Sequence, residues 1–163
     1  MSYPYADDEN VNIPAAVPVP KVDEYADKFF IDLFAQVLRK EYSDAIESIL
    51  LHRDESRNFA LQVMYTDISE EKFILFRMLP HYPLKLLPLF DIAAKEVALE
   101  IYNTHPLKES MIIKEHMRVR LNEVPKCYTI QRLPKSEDAG LLVVLRATVV
   151  RAGNSFTFVI YVQ

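Results

Sequence analysis

Hydrophobic residues recur at helical spacing through the first third of the chain. After Asp23, which can cap a helix, apolar residues follow one another three or four positions apart, which predicts an amphipathic helix. That helix carries Phe30, Leu33, Phe34, Val37 and Leu38. A break near Lys40–Glu41 separates it from a second helix. The second helix carries Tyr42, Ala45, Ile46, Ile49 and Leu50.

The pattern then changes to a strand and back to helices. Apolar residues alternate from Phe59 to Tyr65, which predicts a strand. A helix beginning at Asp67 or Ser69 would carry Phe73, Phe76 and Leu79. Pro80 and Pro83 would end it. The next helix is predicted from about Pro88 to Tyr102, and its apolar face should pack against the first pair of helices.

The last third shows alternation again. Residues Ile113–Leu121 form a predicted strand with one cationic and one apolar face. The cationic face holds Lys114, His116, Arg118 and Arg120, and the apolar face holds Ile113, Met117, Val119 and Leu121. A loop follows at Val124–Lys135, and Asp138–Arg151 then provides the longest apolar run, which predicts a buried strand. The final SFTFVIYVQ alternates as a further hairpin strand would.

These elements predict an α+β fold in three parts. Residues 1–21 are Pro-rich and acidic and are expected to form a tail without a core. Residues 22–107 form a helical subdomain, and residues 108–163 form a β segment. The length of 163 residues is enough for one domain with a real core.

The distribution of charge says more than the net charge of −4. Residues 1–107 hold 10 lysines and arginines against 18 acidic residues, whereas residues 108–151 hold 9 against 5. A polyanion would therefore meet the β segment rather than the helices. The same excess is also compatible with an ordinary protein surface.

Candidate catalytic and metal-binding residues are few. The single cysteine, Cys127, excludes an intrachain disulfide, and the four histidines have no ligand spacing, so we expect no metal site. Only Gly140 and Gly153 are glycines, and neither begins a phosphate-binding loop. We therefore expect no cofactor and no enzymatic activity from this chain alone. The N-terminus lacks the features of a secretory signal, and no apolar run is long enough for a membrane span.

Three segments in order carry a resemblance to a known family. They are the helix LLPLFDIAAKEVALEI at Leu86–Ile101, the strand MRVRLNEVP at Met117–Pro125, and DAGLLVVLRATVVR at Asp138–Arg151. They resemble the Leu-Phe-Asp helix and two strands of the oligonucleotide/oligosaccharide-binding (OB) domain in minichromosome maintenance (MCM) helicases. The spacing and QRLPKSEDAG are most similar to the ninth member, which is associated with recombination repair.

The resemblance implies a helical N-terminal subdomain followed by an incomplete OB-fold-like β segment. OB folds bind single strands in cationic grooves, so the resemblance implies weak single-stranded DNA binding by the basic residues of the predicted strands. These are Lys114, Arg118, Arg120, Arg146 and Arg151. Arg146 and Arg151 have opposite parity, so a regular strand would send them to opposite faces unless a bulge intervenes. Each arginine taken alone is better explained as a solvated or ion-paired surface residue, and the resemblance favours DNA contact for the group.

Partners and location also follow from the resemblance. It implies other MCM subunits as partners, a nuclear location, and a parent helicase in replication or homologous-recombination repair. The family's zinc and ATPase parts have no counterpart here, which suggests a truncated product. Two alternatives remain open: the acidic helical half could dock onto a partner helicase subunit without DNA, or the chain could have no function.

Overall fold

Two consecutive helices lie at the start of the described part of the chain. The computed structural model describes residues 19–54, 59–125, 129–130, 132 and 134–145. A short 3-10 helix at Val22–Glu24 leads into helix α1, Asp27–Glu41, and helix α2, Ser43–Leu51. Both helices were predicted, and the break falls at Tyr42. Asp23 does not cap α1, because that position is Ala26; instead its carboxylate lies 3.1 Å from Lys85 Nζ.

The predicted strand at Phe59 is confirmed, but the helix after it is divided. Strand β1, Phe59–Met64, alternates buried and more exposed residues. Helix α3, Tyr65–Glu71, begins directly after it, and helix α4, Phe73–Met78, follows Lys72. The prediction of one helix from Asp67 or Ser69 was wrong, because Lys72 leaves the helical conformation with φ −140° and ψ 81°.

The longest helix begins earlier than predicted. Helix α5 spans Pro83–Thr104, with Pro83 in its first turn and Pro88 inside it. A proline in the first turn removes only an N–H that has no helical partner, so Pro83 begins the helix rather than ending the previous one. The N–H that Pro88 lacks would have bonded the carbonyl of Leu84. The predicted packing of this helix against the first pair of helices is confirmed, since α5 packs along α1.

The strand at Arg118 is shorter than predicted. Strand β2 is Met117–Asn122 and pairs parallel to β1, with Phe59 opposite Met117 and Met64 opposite Asn122. Strands β3, Thr129–Ile130, and β4, Val144–Leu145, form a second parallel pair. Among the described residues these two pairs do not join into a closed barrel. The α+β fold is confirmed, while the predicted hairpin strand at the C-terminus lies outside the described residues.

The core is centred between α1 and α5. The rings of Phe34 and Phe90 are stacked with centroids 4.0 Å apart, and both residues are fully buried. Ala93 and Ala94 continue the buried face of α5, where small side chains allow close helix packing. Arg39 closes the edge of this interface with two hydrogen bonds to Glu100. The helical subdomain therefore gives α5 a fixed position, from which it presents its other face to strand β2.

Candidate nucleic-acid interface

Asp91 joins helix α5 to strand β2. One oxygen of its carboxylate accepts the backbone N–H of Val119 at 2.7 Å, and the other accepts a hydrogen bond from the Arg118 guanidinium at 2.8 Å. The Asp91 side chain is only 17% exposed, so the carboxylate lies between the two elements. Since a strand edge presents unpaired N–H groups, Asp91 satisfies one of them and fixes β2 against the helix.

The basic residues of β2 lie on its exposed side. Met117 and Val119 are buried, whereas Arg118 and Arg120 are exposed, which confirms the alternation predicted for this part of the strand. Arg118 is held by Asp91, although its side chain remains 69% exposed. Arg120 has no ion-pair partner among the described residues. Its guanidinium is therefore available to an external anion.

Both arginines lie in a groove between α5 and residues 134–145. One wall is the first half of α5, from Pro83 to Asp91, and the other is the segment that leads into β4. The groove has a volume of about 980 Å³. A small apolar pocket beside it is lined by Leu87, Val119, Leu121 and Leu142, among others. The backbone N–H of Leu142 donates to the carbonyl of Pro80 at 2.8 Å, which ties the second wall to the helical subdomain.

Ion pairs of Arg132 hold the turn in the wall formed by residues 134–145. The guanidinium of Arg132 binds both oxygens of Asp138, at 2.6 and 3.0 Å, and also Glu137 at 2.7 Å. The hydrogen bond from Arg132, followed by that from the Lys135 backbone N–H, lowers the pKa of Asp138 below its usual value. Gly140 follows with φ +81°, a conformation that favours glycine. The two described carboxylates that line the groove with Arg120, those of Asp91 and Asp138, are thus already engaged with other cations.

Lys114 is not part of this surface, so its predicted place beside Arg118 was wrong. It lies before β2, in residues 111–114, which form neither strand nor helix. Its side chain is 4% exposed, and Nζ donates to the carbonyls of His52 and, at 3.2 Å, Asp54, over the ring of Phe59. Its neighbour Ile113 is exposed instead. The predicted alternation does not extend back to Lys114, because a turn at residues 115–116 precedes strand β2.

The remaining predicted DNA-binding residues, Arg146 and Arg151, lie outside the described residues, as does Cys127. His116, on the predicted cationic face, is exposed in the turn before β2. Within the described ranges, no cluster of three or more histidine, cysteine or acidic residues is arranged to hold a metal. In the same part of the chain, none of the helices is long and apolar enough to cross a membrane.

Comparison with protein families matches residues 25–125 to the model of the MCM9 N-terminal domain. The matched region runs from the start of α1 to just beyond β2 and contains Asp91, Arg118 and Arg120. This chain belongs to the MCM9 N-terminal domain family. The matched region contains helices α1 to α5 and the paired strands β1 and β2.

One curated protein and one solved structure are also similar to this chain. The DNA replication licensing factor Mcm2 of Drosophila melanogaster is 28% identical over 106 residues, which are 60% of this chain and 11% of that protein. A crystal structure of the N-terminal domain of an archaeal MCM matches with a TM-score of 0.51 at 20% identity. That match covers 74% of this chain and 46% of the archaeal chain, and it confirms the fold.

The structure gives Asp91 and Arg132 roles that the sequence analysis did not assign to them. Sequence reasoning treated Leu89, Phe90 and Asp91 as a motif, but their roles differ: Phe90 packs on Phe34, while Asp91 turns to β2. Arg132 fell within the predicted loop Val124–Lys135, and the sequence analysis assigned it no role. The sequence contains a signal for each residue. Asp91 is a carboxylate on an otherwise apolar helix face, which is a candidate for a buried pair. Arg132 lies six residues before Asp138, a spacing that allows a bidentate pair.

Proposed function

We propose that this chain is a DNA-binding and assembly module of an MCM-type helicase that acts in the nucleus, in DNA replication or homologous-recombination repair. Membership of the MCM9 N-terminal domain family supports the module, and Arg120 supports the DNA contact. Neither Gly140 nor Gly153 begins a phosphate-binding loop, so we infer that the chain does not itself hydrolyse ATP.

The observation that carries the DNA proposal is the charge balance of the groove. The carboxylate of Asp91 is held by Arg118 and that of Asp138 by Arg132, whereas Arg120 has no partner in the described part of the chain. A phosphate entering the groove would meet Arg120 without displacing an internal ion pair. Binding through a few such contacts is weak and depends strongly on salt.

The groove also predicts the character of the binding. Among the described residues that line the groove none is aromatic, and leucine, proline and valine predominate. Bases bound without sequence preference usually stack on aromatic side chains. Contacts through phosphate, with little preference for sequence, are therefore expected from the described surface.

Fluorescence anisotropy with single-stranded DNA over a salt series tests this proposal. Arg120→Glu should weaken binding and reduce the slope of log affinity against log salt by about one. Lys40→Glu is the control, because Lys40 is exposed at the end of α1, away from the groove. Equal losses in both variants would reject a role for the groove in DNA binding.

A second candidate is docking of the acidic helical half onto another MCM subunit. Ile92 and Leu99 are exposed on α5, on the side where Glu96 also lies. Exposed apolar side chains among acidic ones are typical of a protein interface. Pull-down of an MCM subunit by the full chain, compared with an Ile92→Ser and Leu99→Ser double variant, separates the two candidates. Loss of capture with intact DNA binding would favour docking through α5.

A further inference from the structure

The groove beside Arg120 has apolar residues on both walls, which phosphate contacts do not explain. Leu84, in the first turn of α5, is 79% exposed, and Leu141 on the opposite wall is also exposed. Leu87 and Pro88 also line the groove. Large leucines this exposed on facing walls of one groove mark a binding surface for an apolar ligand.

The shape and chemistry of the apolar part of the groove favour peptide side chains over nucleotide bases. The volume of about 980 Å³ is at the upper end of the roughly 300–1,000 Å³ of small-molecule sites, so the groove can take several side chains. Leucine and proline walls match the aliphatic anchors of a peptide, whereas bases prefer aromatic platforms. The groove is therefore better suited to leucine-like side chains than to bases.

The charge of the groove favours acidic peptides over basic ones. Among the described residues, Arg118 and Arg120 line the groove, and the carboxylates of Asp91 and Asp138 there are bound by Arg118 and Arg132. An acidic side chain at the edge of a bound segment could pair with Arg120, and a basic one would face it at close range. Charge complementarity of this kind decides which partner binds.

We propose that the groove between α5 and residues 134–145 binds an acidic, leucine-rich segment of another protein. Its apolar side chains would lie between Leu84 and Leu141, and its carboxylates would face Arg120. The groove is a single recognition surface built from the helical subdomain and the β segment, held together by the Leu142 N–H to Pro80 hydrogen bond. Leu84 carries no charge, so its substitution tests this proposal separately from DNA binding.

The test uses the full chain and a fluorescein-labelled synthetic peptide of leucine and glutamate repeats, with the same peptide carrying lysine for glutamate as a charge control. Leu84→Ser should weaken binding of the acidic peptide by about tenfold. Leu107→Ser is the matched variant, since Leu107 is also an exposed leucine but does not line the groove, and it should leave affinity unchanged. Arg120→Gln should weaken binding of the acidic peptide and, because it removes a like charge, should strengthen binding of the lysine peptide.

Several results would overturn the proposal. Equal binding of the acidic and basic peptides, or equal effects of Leu84→Ser and Leu107→Ser, would show that the groove does not select an acidic apolar segment. A rise in peptide affinity when Asp7, Asp8 and Glu9 are replaced by their amides would assign the groove to the chain's own N-terminal residues. Self-association that Leu84→Ser abolishes, measured by sedimentation, would assign it to a second copy. Single-stranded DNA affinity, measured in parallel, should not change in Leu84→Ser.

Discussion

The carboxylate of Asp91, in the middle of helix α5, accepts the backbone N–H of Val119 in strand β2 at 2.7 Å. A side chain of the helical subdomain thus completes the hydrogen bonding of the strand that carries Arg118 and Arg120. Because β2 is held at its outer edge by Asp91 and at its inner edge by β1, its exposed arginines have a defined position relative to α5.

Asp91→Ala should therefore destabilise the protein. Removal of the acceptor leaves the Val119 N–H without its partner, at a cost of about 1–3 kcal/mol in the free energy of unfolding. Asp91→Asn retains an acceptor oxygen and should lose less. Urea denaturation measures both. Arg118→Ala keeps the Val119 bond and should cost less than about 1 kcal/mol, as for an exposed ion pair; an equal loss in Arg118→Ala would contradict the role assigned to the backbone bond.

Tyr42, between α1 and α2, should contribute to stability through its hydroxyl group. The hydroxyl accepts the Met64 N–H at 2.7 Å and donates to the Asp67 carboxylate. Tyr42→Phe removes both bonds from a buried position and should lower the free energy of unfolding by about 1–3 kcal/mol. Tyr82→Phe is the control, since its hydroxyl has no partner among the described residues. Similar thermal denaturation of both variants would show that the Tyr42 network contributes little.

The same hydroxyl predicts a pH dependence at the alkaline end. Burial, with a further contribution from the hydrogen bond to Asp67, raises the pKa of Tyr42 from 10.0 to about 12. The folded state therefore holds this proton more tightly than the unfolded state. The stability it contributes is complete below about pH 10 and is lost as pH rises toward 12. Denaturant titrations across this range should show a smaller decline in Tyr42→Phe; identical declines would exclude Tyr42 as the source.

Lys114 should act on stability and leave DNA binding unchanged. Its Nζ donates to the main-chain carbonyls of His52 and Asp54, which bind the end of α2 to the segment before β2. Lys114→Met removes hydrogen bonds from a charged donor and should cost about 1.5–3 kcal/mol. The DNA affinity of the folded variant, corrected for the unfolded fraction, should equal that of Lys40→Met, an exposed control. A specific loss of DNA affinity in Lys114→Met would show that this lysine reaches the ligand.

Local pattern was sufficient wherever one face of an element is buried along its whole length. The helical spacing from Phe30 to Leu38 and the alternation from Phe59 to Tyr65 both correspond to buried faces in the structure. The ends of helices were harder to predict, as at Lys72 and Pro83. At Pro83 the reason is that a proline in the first turn of a helix and a proline that ends a helix look alike in sequence.

The sequence by itself determined the α+β class, the MCM resemblance and the exposed arginines of β2, because periodicity and local motifs depend on neighbouring residues. Only the tertiary structure decided which charges are available. Asp91 and Arg118 are 27 positions apart, and Lys114 is about 60 positions from the carbonyls that bind it. Such pairings depend on how α5, β2 and the end of α2 pack, so no local pattern could distinguish Arg120, without a described partner, from Lys114, which is buried.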